Sequence, residues 1–259
     1  MLSKKIRLFK RTIWLFFRSV FVKDSDEFSP HGVKVKLSKK VDLSIRYFLA
    51  RGRPYEAEEA KMVRKYIPFG ANVIELGGCY GVISALIRNQ IGPDGNLIIV
   101  EANPSLAEIC AGNADSENAE SKSEVVVGAI DYSGATEVKF ALGQNPHVGH
   151  VALQGEEGFT VQTTTLAEQV KKLPEGDYAL VCDIEGGELD LFNNEKKSLS
   201  RVNFLILETH PNIYPKGKYD LEQLYKTIEN IGFIEIEKSG SVFCFASKTA
   251  KGDAKLIKV

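Results

Sequence analysis

The chain has no run of about eighteen apolar residues, so no helix in it is expected to span a bilayer. Cysteine is scarce. Cys79, Cys110, Cys182 and Cys244 are scattered with no C-x-x-C pair, which argues against a thiolate zinc site. They read as small reduced core residues, the pattern of a cytoplasmic chain. Net charge is almost absent: 33 Lys and Arg stand against 34 Asp and Glu. Such a balance gives no general attraction for nucleic acid, and none is expected as a partner. No secretory signal is expected either, because Arg11 and Arg18 interrupt the N-terminal apolar stretch and no small-residue cleavage site follows.

What is present is an ordinary globular composition over 259 residues, enough for one sizeable domain with an appendage. The stretch that organises the rest is 72–103. Val73, Ile74 and Leu76 stop at Gly77-Gly78, and Val82, Ile83, Leu86 and Ile87 follow at helical spacing. After a Gly-Pro-Asp-Gly turn, a second apolar run, 97–100, ends on Glu101. Strand, glycine turn, helix, strand and acid make one right-handed βαβ unit. An acid at the tip of the second strand suits a ribose, whose hydroxyls a carboxylate can accept from.

The glycine register says which nucleotide. Counted from Gly77, a dinucleotide G-x-G-x-x-G pattern would need glycine at Cys79 and Val82. The pattern is instead E-x-G-x-x-x-G, from Glu75 through Gly77 to Gly81, which brings backbone close to a ligand without cradling a pyrophosphate. This resembles the S-adenosylmethionine loop of class I methyltransferases. The resemblance implies that Glu75, Gly77, Gly78, Gly81, Glu101, Ala102 and Asn103 surround that cofactor, with Glu75 near its amino group and Glu101 on its ribose. A bare βα turn of another doubly wound protein is the alternative.

Residues 1–23 carry seven Lys or Arg and no acid, with Ile6, Phe9, Ile13, Phe16, Phe17 and Val20 at helical spacing. A basic amphipathic helix of this kind suits peripheral contact with an anionic membrane. Packing on the domain, or on a second subunit in a homodimer, is the alternative. Over 24–52, Val33, Val35, Leu37, Val41, Leu43 and Ile45 alternate with polar residues and predict a hairpin. A helix then opens at Tyr55-Glu56 with acids in its first turn.

Beyond Glu101, Asn103 caps a helix opened by Pro104. A third strand, 124–130, ends near Ala129, where an adenine would lie if the ribose is on Glu101. Strands over 137–142 and 158–164 flank a polar loop, 143–155, that carries His147 and His150 and is long enough to be functional. A surface insertion whose histidines do nothing is the alternative. The strand 178–182 runs into Asp183-Ile184-Glu185-Gly186-Gly187-Glu188, and ligands of open α/β sheets bind beyond such strand ends. Asp183 and Glu185 share a face if the backbone stays extended. Glu188 reads as a first-turn acid of the next helix. Glu208 and His210 follow the strand 202–207 and point into the same crevice. A helix over 220–230 and two strands around Ser239-Gly240 close the sheet.

The segments VIELGGCYGVISALI, VEANP, TTTLAEQ, ALVCDIEGGELDLF and LILETHP, in that order, resemble the FkbM-type methyltransferases. The resemblance covers about 55–237 and is most specific over 183–190. Glu75 and Gly78 depart from the Asp and Ala common in the loop, and Glu101-Ala102-Asn103 from Glu-Pro-Asn. His150 falls where small polar residues are usual. The implied fold is a Rossmann-like α/β three-layer sandwich, with a mostly parallel seven-stranded sheet and an antiparallel edge. The implied organisation is an N-terminal helical extension and accessory segment over 1–50, the catalytic domain over 51–247 and a polar tail over 248–259.

The resemblance also implies S-adenosylmethionine as cofactor and O-methylation of a hydroxyl on a sugar, glycan precursor or secondary metabolite. An alcohol must lose its proton as the methyl moves. Asp183, which the resemblance also places against the methyl end of the cofactor, is the first choice of base, with His150, His210 and His147 as rivals. Tyr55, Glu56, His147, Glu185 and Glu208 are assigned to the acceptor. A divalent ion on Asp183, Glu208 and His210 could acidify the hydroxyl, but no tight ligand spacing calls for one. The competing readings are an NAD(P)-dependent sugar oxidoreductase and a non-catalytic, membrane-tethered scaffold. A nucleic-acid methyltransferase is weaker still, because the Asn/Asp-Pro-Pro-aromatic motif is missing.

Overall fold

The computed structural model describes residues 2–21, 25–39, 41–115, 123–142, 149–152, 156–214 and 216–248. Helix α1 (Leu2–Phe21) leads to a short antiparallel ladder between β1 (Glu27–Phe28) and β2 (Val35–Lys36). The hairpin expected across 33–45 does not continue. Asp42 accepts hydrogen bonds from the backbone nitrogens of Ser44 and Ile45 and caps a helix, α2 (Leu43–Ala50). Val41, Ile45 and Leu49, four apart, are the apolar residues that bury over 41–50, so the helical period wins over the apparent alternation.

Helix α3 (Ala57–Tyr66) feeds the expected βαβ unit: β3 (Val73–Leu76), α4 (Val82–Ile91) and β4 (Leu97–Glu101). Asn103 caps α5 (Pro104–Ala114), its side chain accepting from Ser105 N. The expected strand 124–130 breaks at Gly128. Its first part, β5 (Glu124–Val127), pairs with β4. Its second part, β6 (Ala129–Ile130), joins a small separate sheet with β7 (Glu137–Leu142), β8 (Gly149–Val151) and β9 (Phe159–Thr164) in the order β6-β9-β7-β8. A capping box between Thr165 and Glu168 starts α6 (Leu166–Val170). The chain closes with β10 (Tyr178–Cys182), α7 (Glu188–Asn194), α8 (Lys196–Leu199), β11 (Val202–Glu208), α9 (Lys218–Ile231), β12 (Phe233–Ser239) and β13 (Val242–Ser247).

The main sheet has seven strands in the order β12-β13-β11-β10-β3-β4-β5. β13 is antiparallel to both neighbours, and every other pairing in this sheet is parallel. This is the expected mostly parallel seven-stranded sheet with an antiparallel edge. Alternate residues feed two cores. Val73, Ile99, Val181 and Ile206 pack with α2 to α5, while Ile74, Leu76, Leu180 and Leu205 pack with α6, α7 and α9. Phe28, Val33, Val35, Leu37 and Ile45 belong to the first of these cores, so residues 25–50 pack with the sheet and no break in packing falls at residue 50. Residues 249–259 of the expected tail lie outside the described residues.

Candidate active site

A cavity of about 460 Å³ opens beyond the C-terminal ends of β3, β4 and β10. Gly77 lines it, with φ at +95°, and donates its N–H to Val100 O at 2.8 Å. A Cβ at this position would overlap the carbonyl oxygen of Asp183, so the β3 loop and the end of β10 touch through bare backbone. Gly78 and Gly81 do a different job. A Cβ on Gly78 would meet Ile99 Cγ2 at 2.5 Å, and one on Gly81 would meet the backbone of Cys110 at 2.9 Å. Both let the loop pack against β4 and α5, and neither lines the cavity.

Glu75 lies on the sheet face that carries α4 and is almost wholly buried, with Oε2 lacking a hydrogen-bond partner among the described residues. Burial raises its pKa to about 8, against a hydrogen bond from Ser84, and the charges of Glu101 and Asp183 add to the rise. It sits beneath the loop rather than on the wall. Glu101 is on the wall. Its Oε2 accepts from Cys79 N and its Oε1 from Asn103 N, both at 2.7 Å. Burial raises its pKa, and these backbone donors oppose the rise. A carboxylate has about four acceptor positions, so a pinned Glu101 still presents lone pairs to a ligand.

Ala102 and Asn103 continue this wall, and Gly128, Ala129, Ile130 and Asp131 face it from the chain crossing into the small sheet. Gly128 N donates to Glu101 O at 3.0 Å, which ties the two stretches together. Cys79, expected in the core, instead stands on the cavity wall, with its Sγ 3.9 Å from Tyr55 Oη. Tyr55 and Glu56 line the wall too, and His31 Nε2 holds the Tyr55 carbonyl. Among the described residues four non-glycine positions have positive φ, and three of them, Glu56, Cys79 and Glu185, line this cavity. Strained backbone of this kind gathers where a site must hold an unusual geometry.

The acidic end departs from the extended path expected of 183–185, because Glu185 has φ at 49°. Asp183 and Glu185 nevertheless converge on one partner. His210 Nε2 lies 3.3 Å from Asp183 Oδ1 and 3.5 Å from Glu185 Oε2. Its Nδ1 is 2.8 Å from Oε1 of Glu188, a carboxylate with no exposed surface that also accepts from Gly186 N. Burial pulls the His210 pKa down, but the Glu188 hydrogen bond and the charges of Asp183, Glu188 and Glu185 outweigh it and raise it to about 9. Burial lifts Asp183 to about 7; His210 opposes this, and Glu208, Glu185 and Glu188 reinforce it. Asp183 and Glu185 face the cavity, whereas His210 stands behind them. Asp183, Glu185 and His210 also offer ligand atoms within 4.8 Å of one another, a spacing that could hold a divalent ion. Glu208 lines the cavity but spends one oxygen on Ser241 Oγ at 2.9 Å.

Opposite, Phe140, Leu142 and Val151 make an apolar wall on the small sheet. His150 stands among them, Nε2 2.9 Å from Glu156 Oε2. His147 lies outside the described residues. The described lining holds seven carboxylates, Glu56, Glu101, Asp131, Asp183, Glu185, Asp190 and Glu208, and no Lys or Arg. Such a cavity favours a cation and repels phosphate.

Sequence reasoning did not place Cys79 on the wall or make Glu188 the partner of His210. No motif signals either role; the Glu188-to-His210 link joins a helix start to a strand end 22 residues away.

The methyltransferase FkbM domain family matches residues 69–235. No curated protein matches the chain. Among solved structures, a putative rRNA-methylase from Clostridium thermocellum is similar at a TM-score of 0.47 and 8% identity, over 73% of this chain and 93% of that one. An O-methyltransferase from Bacillus cereus in complex with S-adenosylhomocysteine aligns at 0.44 and 13%, over 74% and 80%. Aeropyrum pernix fibrillarin with natively bound S-adenosylmethionine aligns at 0.43 and 12%, over 73% and 74%.

Proposed function

Because the chain belongs to the methyltransferase FkbM domain family, and so takes its methyl group from S-adenosylmethionine, we propose that it delivers this group to a hydroxyl of an acceptor without phosphate, such as a sugar, glycan precursor or secondary metabolite. The observation that carries the reading is Asp183: a cavity-facing carboxyl with its pKa near 7, beside the Gly77 loop and backed by His210.

The residues present fit the cofactor. The bare backbone of Gly77 leaves room for close approach, Glu101 is pinned with lone pairs free for ribose hydroxyls, and the acidic lining suits a positively charged ligand. When bound, S-adenosylmethionine supplies an electrophilic methyl carbon. The chain must then orient the acceptor oxygen and take its proton, and Asp183 is suited to both. A base whose pKa lies near the working pH combines a useful ionised fraction with a real pull on the proton. His210 is not the base in this reading. It stays protonated to about pH 9, does not line the cavity, and acts on Asp183 by charge across 3.3 Å. The lack of Lys and Arg in the described lining weighs against a nicotinamide dinucleotide and against phosphorylated acceptors.

The test is transfer of labelled methyl from S-adenosylmethionine to a panel of neutral sugars, glycosides and phenols, with sugar phosphates alongside. The expected product is a labelled methyl ether on a phosphate-free acceptor, with turnover cut by roughly 10²–10⁴ in Asp183→Asn while S-adenosylhomocysteine still binds. Label on nitrogen or on a carboxylate would overturn the hydroxyl reading. Preference for sugar phosphates would overturn the acceptor class.

A further inference from the structure

We propose that the outward face of α1 docks on an anionic lipid surface and holds the catalytic domain against it. The structure divides this helix into two faces. Towards the domain, Arg11 donates to Ser44 Oγ at 2.7 Å and its guanidinium stacks over Tyr47, while Trp14 meets Tyr47 edge-on at 5.5 Å. Leu15 is buried, and Arg18 donates to the Glu27 carbonyl at 3.0 Å and lies over Phe28. Positions 11, 14, 15 and 18 form one stripe at helical spacing.

The opposite stripe has no partner among the described residues. Phe9, Ile13, Phe16, Phe17 and Val20 are 67%, 39%, 64%, 56% and 63% exposed. At about 100° per residue this stripe centres roughly half a turn from the anchoring one. The two arginines that break the apolar run are therefore those spent on the domain, and the face they leave outside is uninterrupted. Five large apolar side chains in one exposed stripe ask for cover.

Charge decides between the two covers available. Residues 1–23 hold seven Lys or Arg and no acid. Two copies packed stripe to stripe would bring these segments together and repel. An anionic bilayer instead attracts the cations and buries the aromatics, with the helix lying flat in the interface. No described helix is long and apolar enough to cross the membrane, so the contact is peripheral. It is also rigid. Tyr47 of α2 meets Trp14, and the next residue, Phe48, packs on Tyr55 of the cavity wall with ring centroids 6.3 Å apart. One short helix thus links the docked face to the site.

The test is flotation of the full chain with phosphatidylcholine vesicles, with and without about one third phosphatidylglycerol. Binding is expected to the anionic vesicles, to be weak on the neutral ones, and to fall with added salt. Phe16→Glu with Phe17→Glu should lower partitioning at least tenfold, at roughly full thermal stability. Lys10→Glu should lower it by about fivefold for each unit of charge changed. No binding by the full chain, or equal binding by the double variant, would overturn the proposal. So would a wild-type dimer that the double variant converts to monomer without any vesicle binding, which would assign the face to a second copy.

Discussion

The carbonyl oxygen of Asp183 occupies the space that a side chain on Gly77 would need. The β3 loop and the end of β10, 106 residues apart in the chain, are therefore in register only while position 77 is bare. Gly77→Ala should destabilise by about 1–3 kcal/mol, through both the positive φ and the overlap, and should weaken S-adenosylhomocysteine binding. Gly112 of α5 is the control, since a Cβ there meets nothing within 4 Å. Gly112→Ala should raise the melting temperature, by the equivalent of about 0.5–1 kcal/mol. Equal behaviour of the two variants in a thermal melt would refute the close-approach account.

Glu101→Gln keeps the side chain's size but removes its charge and gives it an amide that cannot accept from both Cys79 N and Asn103 N. Loss of charge-assisted hydrogen bonds worth about 1.5–3 kcal/mol predicts S-adenosylhomocysteine binding weaker by roughly 10- to 150-fold in calorimetry. Unchanged affinity would remove Glu101 from the ribose.

Glu188 touches neither cavity nor acceptor, so its variant tests positioning. Glu188→Gln leaves an acceptor for His210 Nδ1 but takes away the buried charge. The His210 imidazole, followed by NMR through a pH titration, should fall from about 9 towards the ordinary histidine range. The pH profile of turnover should shift with it. A titration curve identical to that of the unaltered protein would mean that Asp183 and Glu185 suffice to hold the proton.

Three groups predict the pH dependence of stability. Asp183 near 7, Glu75 near 8 and His210 near 9 all have folded-state values above their ordinary ones. Between the ordinary and the raised value the folded protein binds more protons than the unfolded chain, so stability falls as pH rises. The His210 contribution is complete below about 6.5 and lost as pH passes about 9; the carboxyl contributions fade from about 4 to 8. Denaturant unfolding of the unliganded protein should show a lower midpoint at pH 9 than at 5.5, corresponding to a stability lower by on the order of a few kcal/mol. Turnover should move the other way at first, rising as Asp183 ionises around 7. A midpoint that climbs over this range would contradict the assignment.

The βαβ unit was legible because its signals are local. Apolar runs, a glycine register and an acid at a strand tip all lie within 72–103, and Asn103 and Pro104 announce the next helix. The hairpin expected over 33–45 failed because two periods overlap there: Val41 and Ile45 fit a strand and a helix equally, and the Asp42 cap decides. The break at Gly128 was not legible, since it depends on pairing with the distant β9, and the short strand Gly149–Val151, which pairs with its neighbour β7, was hidden inside a polar stretch with no apolar run. Three carboxylates converging on His210 lie beyond any spacing rule. So did its charge state, which made it a rival base on paper and a fixed cation in the fold.

Cys79 stands among these acids with a consequence for the durability of the site. Burial, then Glu56 and Glu101, push its thiol pKa well up, so at neutral pH almost none of it is thiolate. Oxidants and alkylating reagents attack the thiolate. The same negative field that suits a cationic ligand thus shelters a sulfur in the wall from oxidative damage, and slow thiol labelling at position 79 becomes a gauge of whether the cavity is filled.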